Sequence, residues 1–269
     1  MHGFLAICSV IPSEVEESLI VQRNNRDVST SLDMTHWAVG MRKVADKIIV
    51  ALDVPTKREA LELVEKLRDQ ISLFKIGLQL YTAEGPEIVR AVSSEGSKVW
   101  LDLKLHDIPN TVARAVESAN RLGVQMFTVH LSGGSEMVRA ATAARANNNI
   151  LLLGVTVLTS STEETLREIG IQGKVDDQVL RLAKLGVAAG IDGVVASSHE
   201  IKPLRREFNK IKIVVPGIRP SWSESGDQKR TMTPREALEA GADYLVIGRP
   251  ITAHANPREA LAKILDEIS

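Results

Sequence analysis

From Lys47 to the C-terminus, short apolar runs alternate with longer segments whose apolar residues recur at three- and four-residue spacing. The short runs are typical of buried strands and the longer segments of amphipathic helices. The predicted strands are 47–53, 73–77, 98–104, 126–131, 150–157, 192–196, 211–216 and 243–248. The predicted helices are 57–69, 84–95, 110–122, 134–146, 176–189, 199–208, 234–240 and 257–267. This alternation predicts a (β/α)8 TIM barrel, and a doubly wound parallel sheet is the alternative.

Two predicted loops are longer than the few residues that are usual in such units. The first runs from Leu158 to Val175 and contains a short helical stretch around 163–169. The second runs from Pro216 to Thr233, after the seventh strand, and is polar and contains Gly217 and Gly226. Such a loop suits a segment that closes over a ligand, and a merely solvated loop is the alternative.

Charged residues stand at the ends of three predicted strands. The first strand ends at Asp53, the second carries Lys75, and the third carries Asp102 and Lys104. Asp102 and Lys104 are two residues apart, so on an extended backbone their side chains project from the same face. Because ligands bind at the carboxyl ends of strands in α/β proteins, we interpret these charges as one site. A salt-bridge cluster facing water is the alternative.

The eighth predicted strand ends in Gly248 and Arg249. Barrels commonly hold a phosphate at this point, on backbone N–H groups near a glycine. Gly248 would let a ligand approach the backbone, and Arg249 can give a charge-assisted, bidentate contact. With Gln228 from the second long loop, these residues form a predicted phosphate clamp.

Composition excludes several classes of protein. The 33 Lys and Arg balance 34 Asp and Glu, which argues against a general nucleic-acid or membrane binder. No apolar stretch approaches the roughly 20 residues of a transmembrane helix. A single cysteine, Cys8, excludes an internal disulfide framework and fits a cytoplasmic location. The six histidines form no ligand pair, and the lysines among the carboxylates compete with a cation, so we expect no metal.

Residues 1–40 differ from the rest of the chain. The apolar run from Gly3 to Ile11 is short and lacks the basic segment and cleavage site of a signal peptide. The following residues are polar and show no clear period. We therefore expect 1–40 to be a disordered extension and 41–269 to form the barrel domain. One interpretation is translation from upstream of the natural start, with Met34 or Met41 as the initiator.

Several segments together resemble the orotidine 5′-phosphate decarboxylase family, in its compact bacterial type. The most specific is the run 102–111, Asp-Leu-Lys-Leu-His-Asp-Ile-Pro-Asn-Thr. The others, in the order of the family, are Ala51-Leu-Asp53, Phe74-Lys75-Ile-Gly77, Val157-Leu-Thr159-Ser160, Pro216-Gly217-Ile-Arg219, Asp227-Gln228-Lys229-Arg230 and Ile247-Gly248-Arg249. The resemblance extends from about Val44 to the C-terminus, so residues 1–40 lie outside it.

The resemblance implies conversion of orotidine 5′-monophosphate (OMP) to UMP and CO2 in pyrimidine biosynthesis, without metal or organic cofactor. It implies that Lys104 protonates C6 and that Asp102 lies against the substrate carboxylate. It assigns Lys75 and Asp107 to the same charged array. The implied substrate contacts are Asp53 and Lys75 at the ribose, Thr159 at the pyrimidine, and Arg219, Gln228, Gly248 and Arg249 at the phosphate.

The family pattern also implies a homodimer with composite active sites. In that arrangement Asp107 and Thr111 reach into the pocket of the neighbouring subunit. No nucleic-acid or membrane partner is expected.

Two other functions remain open at this stage. A metal-dependent sugar-phosphate decarboxylase or aldolase of the same barrel would share the Asp-x-Lys-x-x-Asp run. In that group a carboxylate that helps to bind the metal stands where this chain has Lys75, so the lysine argues against a metal enzyme. The other alternative is a phosphate-binding barrel without catalysis.

Overall fold

The computed structural model describes residues 44–145, 150–223 and 232–269. These residues belong to one compact unit, Val44–Ser269. The predicted extension 1–40 lies outside the described residues, and its disorder stays a prediction.

The described strands form a closed parallel barrel in which each strand pairs with the next and the last pairs with the first. They are β1 Ile48–Ala51, β2 Leu73–Gly77, β3 Lys98–Leu105, β4 Met126–His130, β5 Leu151–Val155, β6 Gly193–Val195, β7 Lys212–Pro216 and β8 Tyr244–Ile247. The pairing of Ile49 with Val246 closes the barrel. The predicted (β/α)8 barrel is therefore confirmed, and the doubly wound alternative is wrong.

Helices follow the strands around the barrel. In the described ranges they are α1 Lys57–Leu67, α2 Leu78–Glu84, α3 Glu87–Ser94, α4 Pro109–Arg121, α5 Gly134–Ala144, α6 Glu163–Glu168, α7 Val175–Ala188, α8 Ile201–Glu207, α9 Pro234–Ala240, α10 Arg249–Thr252 and α11 Pro257–Ile268. Several begin at side-chain caps, as at Thr233, which accepts from the Glu236 N–H while the Glu236 carboxylate accepts from the Thr233 N–H. None of the helices in the described ranges is long and apolar enough to cross a membrane.

The sequence prediction missed α2 and α10 and placed one helix over 84–95. Gly85 adopts a φ of 63° and Pro86 follows it, so the chain turns between α2 and α3. Both missed helices are short, with seven and four residues, which is too few for a helical period to appear in the sequence.

The interior of the barrel sets the height at which the charged residues stand. Ala51, Leu73 and Trp100 are buried members of one apolar cluster inside the barrel. Because strand side chains alternate, Asp53, Lys75 and Asp102, each two residues further on, follow on the same face. The apolar layer therefore forms a floor beneath a charged layer at the carboxyl ends of the strands.

At the opposite end of the barrel, Asp243 joins β7 and β8. Its carboxylate accepts hydrogen bonds from the Ile213 N–H at 2.9 Å, from Lys212 at 3.1 Å and from Arg205 at 2.7 Å. Burial alone would raise the pKa of Asp243, but the hydrogen bonds from Ile213, Lys212 and Arg205 outweigh it and hold the pKa below its usual value. The ionised carboxylate therefore stabilises this end of the barrel.

We predict that Asp243→Asn lowers the free energy of unfolding at pH 7 by about 1.5–3 kcal/mol, the usual contribution of hydrogen bonds to a charged group. Because the pKa of Asp243 is lower in the native than in the unfolded protein, its ionised carboxylate stabilises the fold at pH values above the unfolded pKa, near 3.9. This stabilisation is lost as the pH falls through the native pKa. The difference between wild type and variant, measured by denaturant unfolding, should therefore shrink below about pH 4. The control is Asp69→Asn, since Asp69 is exposed and pairs only at the surface with Arg258. Equal, pH-independent losses in both variants would contradict the assignment.

Candidate active site

Four charged side chains form a chain of alternating sign at the carboxyl ends of β1 to β3. The Lys75 Nζ lies 2.9 Å from the Asp53 Oδ1 and 3.9 Å from the Asp102 Oδ2. The Lys104 Nζ lies 2.7 Å from the same Asp102 oxygen. Asp102 is therefore held between two ammonium groups, and each positive charge lies next to a negative one.

These charges are withdrawn from solvent to different degrees. The side chains of Asp102 and Lys75 are 7% and 11% exposed, whereas that of Lys104 is 29% and that of Asp53 is 58% exposed. Removing charges from water costs several kcal/mol per ion, and a buried ion pair often stabilises a fold no more than apolar residues would. An array of this kind is therefore typical of a functional site, where the charges meet a ligand.

The backbone at Lys104 is unusual. Lys104 has a φ of 51°, which lies in the left-handed region. Every other described residue with a positive φ is a glycine. The register of β3 against β4 also shifts between Leu101 and Leu105. A residue held in this way costs on the order of 1–3 kcal/mol and persists only where its surroundings enforce it.

The sequence prediction assumed an extended strand through Asp102 and Lys104. Their side chains do meet, as predicted, but the backbone geometry assumed for that meeting is wrong. A bulge, and not strand alternation, directs Lys104 towards Asp102.

Thr128, on β4, is a residue of this site that the sequence analysis missed. It is completely buried. Its hydroxyl accepts a hydrogen bond from the Lys104 N–H at 3.0 Å and contacts the Asp102 Oδ1 at 2.9 Å. The available signal was a hydroxyl residue inside the otherwise apolar stretch Met126-Phe-Thr-Val129.

Gly77 is the second missed residue. A Cβ at this position would lie 2.9 Å from the Lys75 Nζ and 3.3 Å from the Asp53 Oδ1. The backbone at Gly77 is extended, so any residue could adopt it. The glycine is therefore needed to leave space for the ion pair of Lys75 and Asp53, and not to allow a turn.

A cavity of about 440 Å³ opens above the array. This size suits a small organic ligand. Its lining includes Asp53, Lys75, Asp102, Lys104, Thr159, Gly217, Arg219, Gly248 and Arg249. The structure thus brings together at one cavity most of the site residues predicted from the sequence.

The two arginines of the cavity come from the chain segments after β7 and β8. Arg219 is almost completely buried, and its N–H donates to the Met232 carbonyl at 3.0 Å, whereas Arg249 is exposed. Both also line an adjacent cavity of about 480 Å³ beside Trp222 and His254. The two arginines line the same cavity as the alternating array. Gln228, predicted to join the arginines, lies outside the described residues.

Three other predicted or considered residues do not line the cavity. Asp107 and Thr111 are exposed, and the Asp107 carboxylate accepts from the Ile108 N–H at 2.6 Å. His130 lies at the end of β4 with its ring 5.7 Å from that of His106. Burial lowers the pKa of His130, and His106 and Lys104 lower it further, so its ring adds no positive charge beside Lys104 at neutral pH.

Comparison with known sequences assigns this chain to a family. A sequence model described as "Orotidine 5'-phosphate decarboxylase / HUMPS family" matches residues 46–264. The chain belongs to this family. The match covers the whole barrel from just before β1 to within α11.

Individual relatives of the family agree with this assignment. An orotidine 5′-phosphate decarboxylase of Syntrophotalea carbinolica is 50% identical over 231 residues, covering 83% of this chain and 95% of the relative. One of Idiomarina loihiensis is 50% identical over 225 residues, covering 82% of this chain and 97% of the relative. The crystal structure of the enzyme from Lactobacillus acidophilus superimposes with a TM-score of 0.73 at 34% identity, covering 83% of this chain and 99% of that one.

We predict that Gly77→Ala separates Lys75 from Asp53 without unfolding the barrel. The new Cβ displaces only the end of a flexible lysine, so the free energy of unfolding should change by less than about 1 kcal/mol. A crystal structure of the variant measures the Lys75 to Asp53 separation.

The matched control is Gly248→Ala. A Cβ there would meet the Ala51 Cβ at 3.6 Å and the Asp53 Oδ2 at 3.9 Å, which are ordinary contacts. The control should keep the ion pair intact. An unchanged Lys75 to Asp53 distance in Gly77→Ala would show that the glycine has no such role.

Proposed function

We propose that this chain decarboxylates OMP to UMP and CO2, without a metal or organic cofactor. The observation that carries the proposal is the position of the Lys104 ammonium, 2.7 Å from Asp102 on the wall of a cavity that two arginines also line. A nucleotide that carries both a carboxylate and a phosphate matches the lysine and the arginines of that cavity. The named relatives at half identity support the same reaction.

In the proposed step, the bond between C6 and the carboxylate breaks and its electron pair stays on C6 as CO2 leaves. The pyrimidine ring cannot readily delocalise this charge, so the site must stabilise it and supply a proton where it develops. The fixed ammonium of Lys104 does both, and transfer of its proton to C6 gives UMP. Solvent then returns a proton to the lysine.

We assign Asp102 to a position against the substrate carboxylate. Both groups are negative, so the electrostatic repulsion between them would be relieved as CO2 leaves. The two ammonium groups beside Asp102 hold its carboxylate in a fixed direction when the substrate is absent. Lys75 and Asp53 are assigned to the ribose hydroxyls, and Thr159 to the pyrimidine.

The phosphate is assigned to Arg219, Gly248, Arg249 and Gln228. Phosphate binding remote from the reacting carbon would hold the carboxylate against Asp102. Among the neighbouring protein atoms there is room for a Cβ at position 248, so packing does not require this glycine. Its absence of a side chain instead leaves the backbone open to a ligand, which supports the assignment.

The alternative, a metal-dependent sugar-phosphate decarboxylase or aldolase, is less well supported. The Lys75 ammonium lies between Asp53 and Asp102, where a cation would need their oxygens. Within the described ranges, no group of three His, Cys, Asp or Glu residues is arranged to hold a metal ion. The relatives named above are all decarboxylases of OMP by name.

We further propose a homodimer with composite active sites. Asp107 and Thr111 are exposed and are not among the residues that line the cavity of their own chain. The neighbouring Ile108 is 66% exposed. Leu78, after β2, is 56% exposed. An isologous interface at this edge would bury both apolar side chains and bring Asp107 to the site of the neighbouring subunit. A cytoplasmic location stays a prediction.

We predict that Lys104→Ala lowers kcat by at least about 10³-fold in a folded protein, since proton donation and charge stabilisation are both lost. Lys104→Arg should be similarly impaired, because a guanidinium keeps its proton. The control is Lys98→Ala at the other, exposed end of the same strand, which should keep full activity. Substantial turnover by folded Lys104→Ala would contradict the mechanism.

The composite site is tested by mixing subunits. Lys104→Ala and Asp107→Ala chains, each inactive alone, are unfolded and refolded together. Random pairing makes half of the dimers mixed, and each mixed dimer has one intact site, so about a quarter of wild-type activity should return.

A mixture of Lys104→Ala with Lys75→Ala is the control, because both lesions then lie on the same side of the site and no pairing restores it. If mixed dimers of the first kind form but stay inactive, Asp107 acts within its own subunit.

A further inference from the structure

The Thr128 hydroxyl occupies the gap that the bulge in β3 leaves in the ladder. The last regular pair before the shift is Leu101 with Phe127, and the next is Leu105 with Val129. On β4 only Thr128 stands between these pairs, whereas on β3 three residues do. The Lys104 N–H, which a regular strand would pair with a carbonyl, donates instead to the Thr128 hydroxyl at 3.0 Å.

The direction of both hydrogen bonds follows from the groups involved. The Lys104 N–H can only donate, so the hydroxyl accepts from it. An ionised carboxylate can only accept, so the single hydroxyl proton points to the Asp102 Oδ1 at 2.9 Å. One buried side chain therefore fixes the backbone of Lys104 and the rotation of the Asp102 carboxylate together.

The carboxylate rotation decides where the Lys104 ammonium lies. With Oδ1 held by Thr128, Oδ2 is the oxygen that faces Lys104 at 2.7 Å and Lys75 at 3.9 Å. Thr128 is completely buried and does not line the cavity, so it cannot touch a ligand there. Its effect on a reaction must pass through Asp102 and Lys104.

We propose that Thr128 is a positioning residue for the reaction, holding Lys104 in its left-handed conformation and Asp102 in the orientation that presents Oδ2 to both lysines. This inference rests on the proposed function. It adds a residue to that function and changes no step of it.

The test compares Thr128→Val with Thr128→Ser. Valine keeps the shape but leaves the Lys104 N–H and the Asp102 Oδ1 without their partner, whereas serine keeps the hydroxyl. We expect Val to lower kcat for OMP by roughly 10- to 100-fold, the scale of a misplaced catalytic group, with KM and the dissociation constant of UMP changed by less than about threefold. Serine should restore kcat to within about threefold of wild type.

The matched control is Thr156→Val. Thr156 follows β5, is also buried, and donates its hydroxyl proton to the Val195 carbonyl at 3.1 Å and not to a member of the charged array. The Thr156→Val variant should keep the wild-type kcat. An equal loss in Thr156→Val, failure of serine to restore kcat, or full activity in folded Thr128→Val would each overturn the proposal.

Two further measurements keep the outcomes distinct. If Thr128→Val does not fold, Thr128→Cys replaces it, because a thiol is a weaker hydrogen-bond donor and acceptor than a hydroxyl. A kcat of Thr128→Cys equal to that of Thr128→Ser would overturn the proposal. An inactive wild type in the same assay would contradict the proposed function instead. In that case a crystal structure of Thr128→Val still tests the proposal. We expect Lys104 to adopt a negative φ or to separate from Asp102, and an unchanged site would contradict the role of Thr128.

Discussion

The site depends on one constraint: four charges of alternating sign must be kept close together at the rim of an apolar barrel. Asp102 is the centre of this arrangement, because it contacts both lysines and is almost fully withdrawn from water. Removing Asp102 would take away the one carboxylate that contacts both ammonium groups, and the loss of one partner of a buried ion pair is destabilising. The surrounding structure therefore serves to hold the charges in register.

Three local features meet that requirement. The apolar residues Leu73 and Trp100 lie beneath Lys75 and Asp102, each of which follows two residues further along the same face of its strand. Gly77 leaves space for the Lys75 ammonium, and the bulge in β3 turns Lys104 towards Asp102. At the opposite end of the barrel the Asp243 carboxylate, which precedes β8, binds the backbone of Ile213 and the side chain of Lys212 in β7. Stability and chemistry thus lie at opposite ends of the barrel, as is typical of this fold.

Much of this arrangement could be predicted from the sequence. The barrel follows from regular alternation, and Asp53, Lys75 and Asp102 follow from their positions at the ends of apolar strands. The bulge could not be predicted, because strand periodicity carries no information on where the ladder is interrupted. Thr128 contacts Asp102 and Lys104 of another strand, and Gly77 leaves room for Lys75 to meet Asp53. Both roles depend on contacts between residues that are distant in sequence, which no local pattern reveals. The roles of Asp107 and Thr111 depend on a second chain, so the sequence predicts them only through the family resemblance.

The central claim is that this array decarboxylates OMP by charge and proton placement alone, and the most direct measurement is OMP turnover by the purified chain in excess EDTA. The loss of OMP absorbance should proceed at the same rate with and without EDTA, because the proposed reaction uses Lys104 and no metal. The absence of turnover, or turnover that EDTA abolishes and a divalent cation restores, would contradict the account.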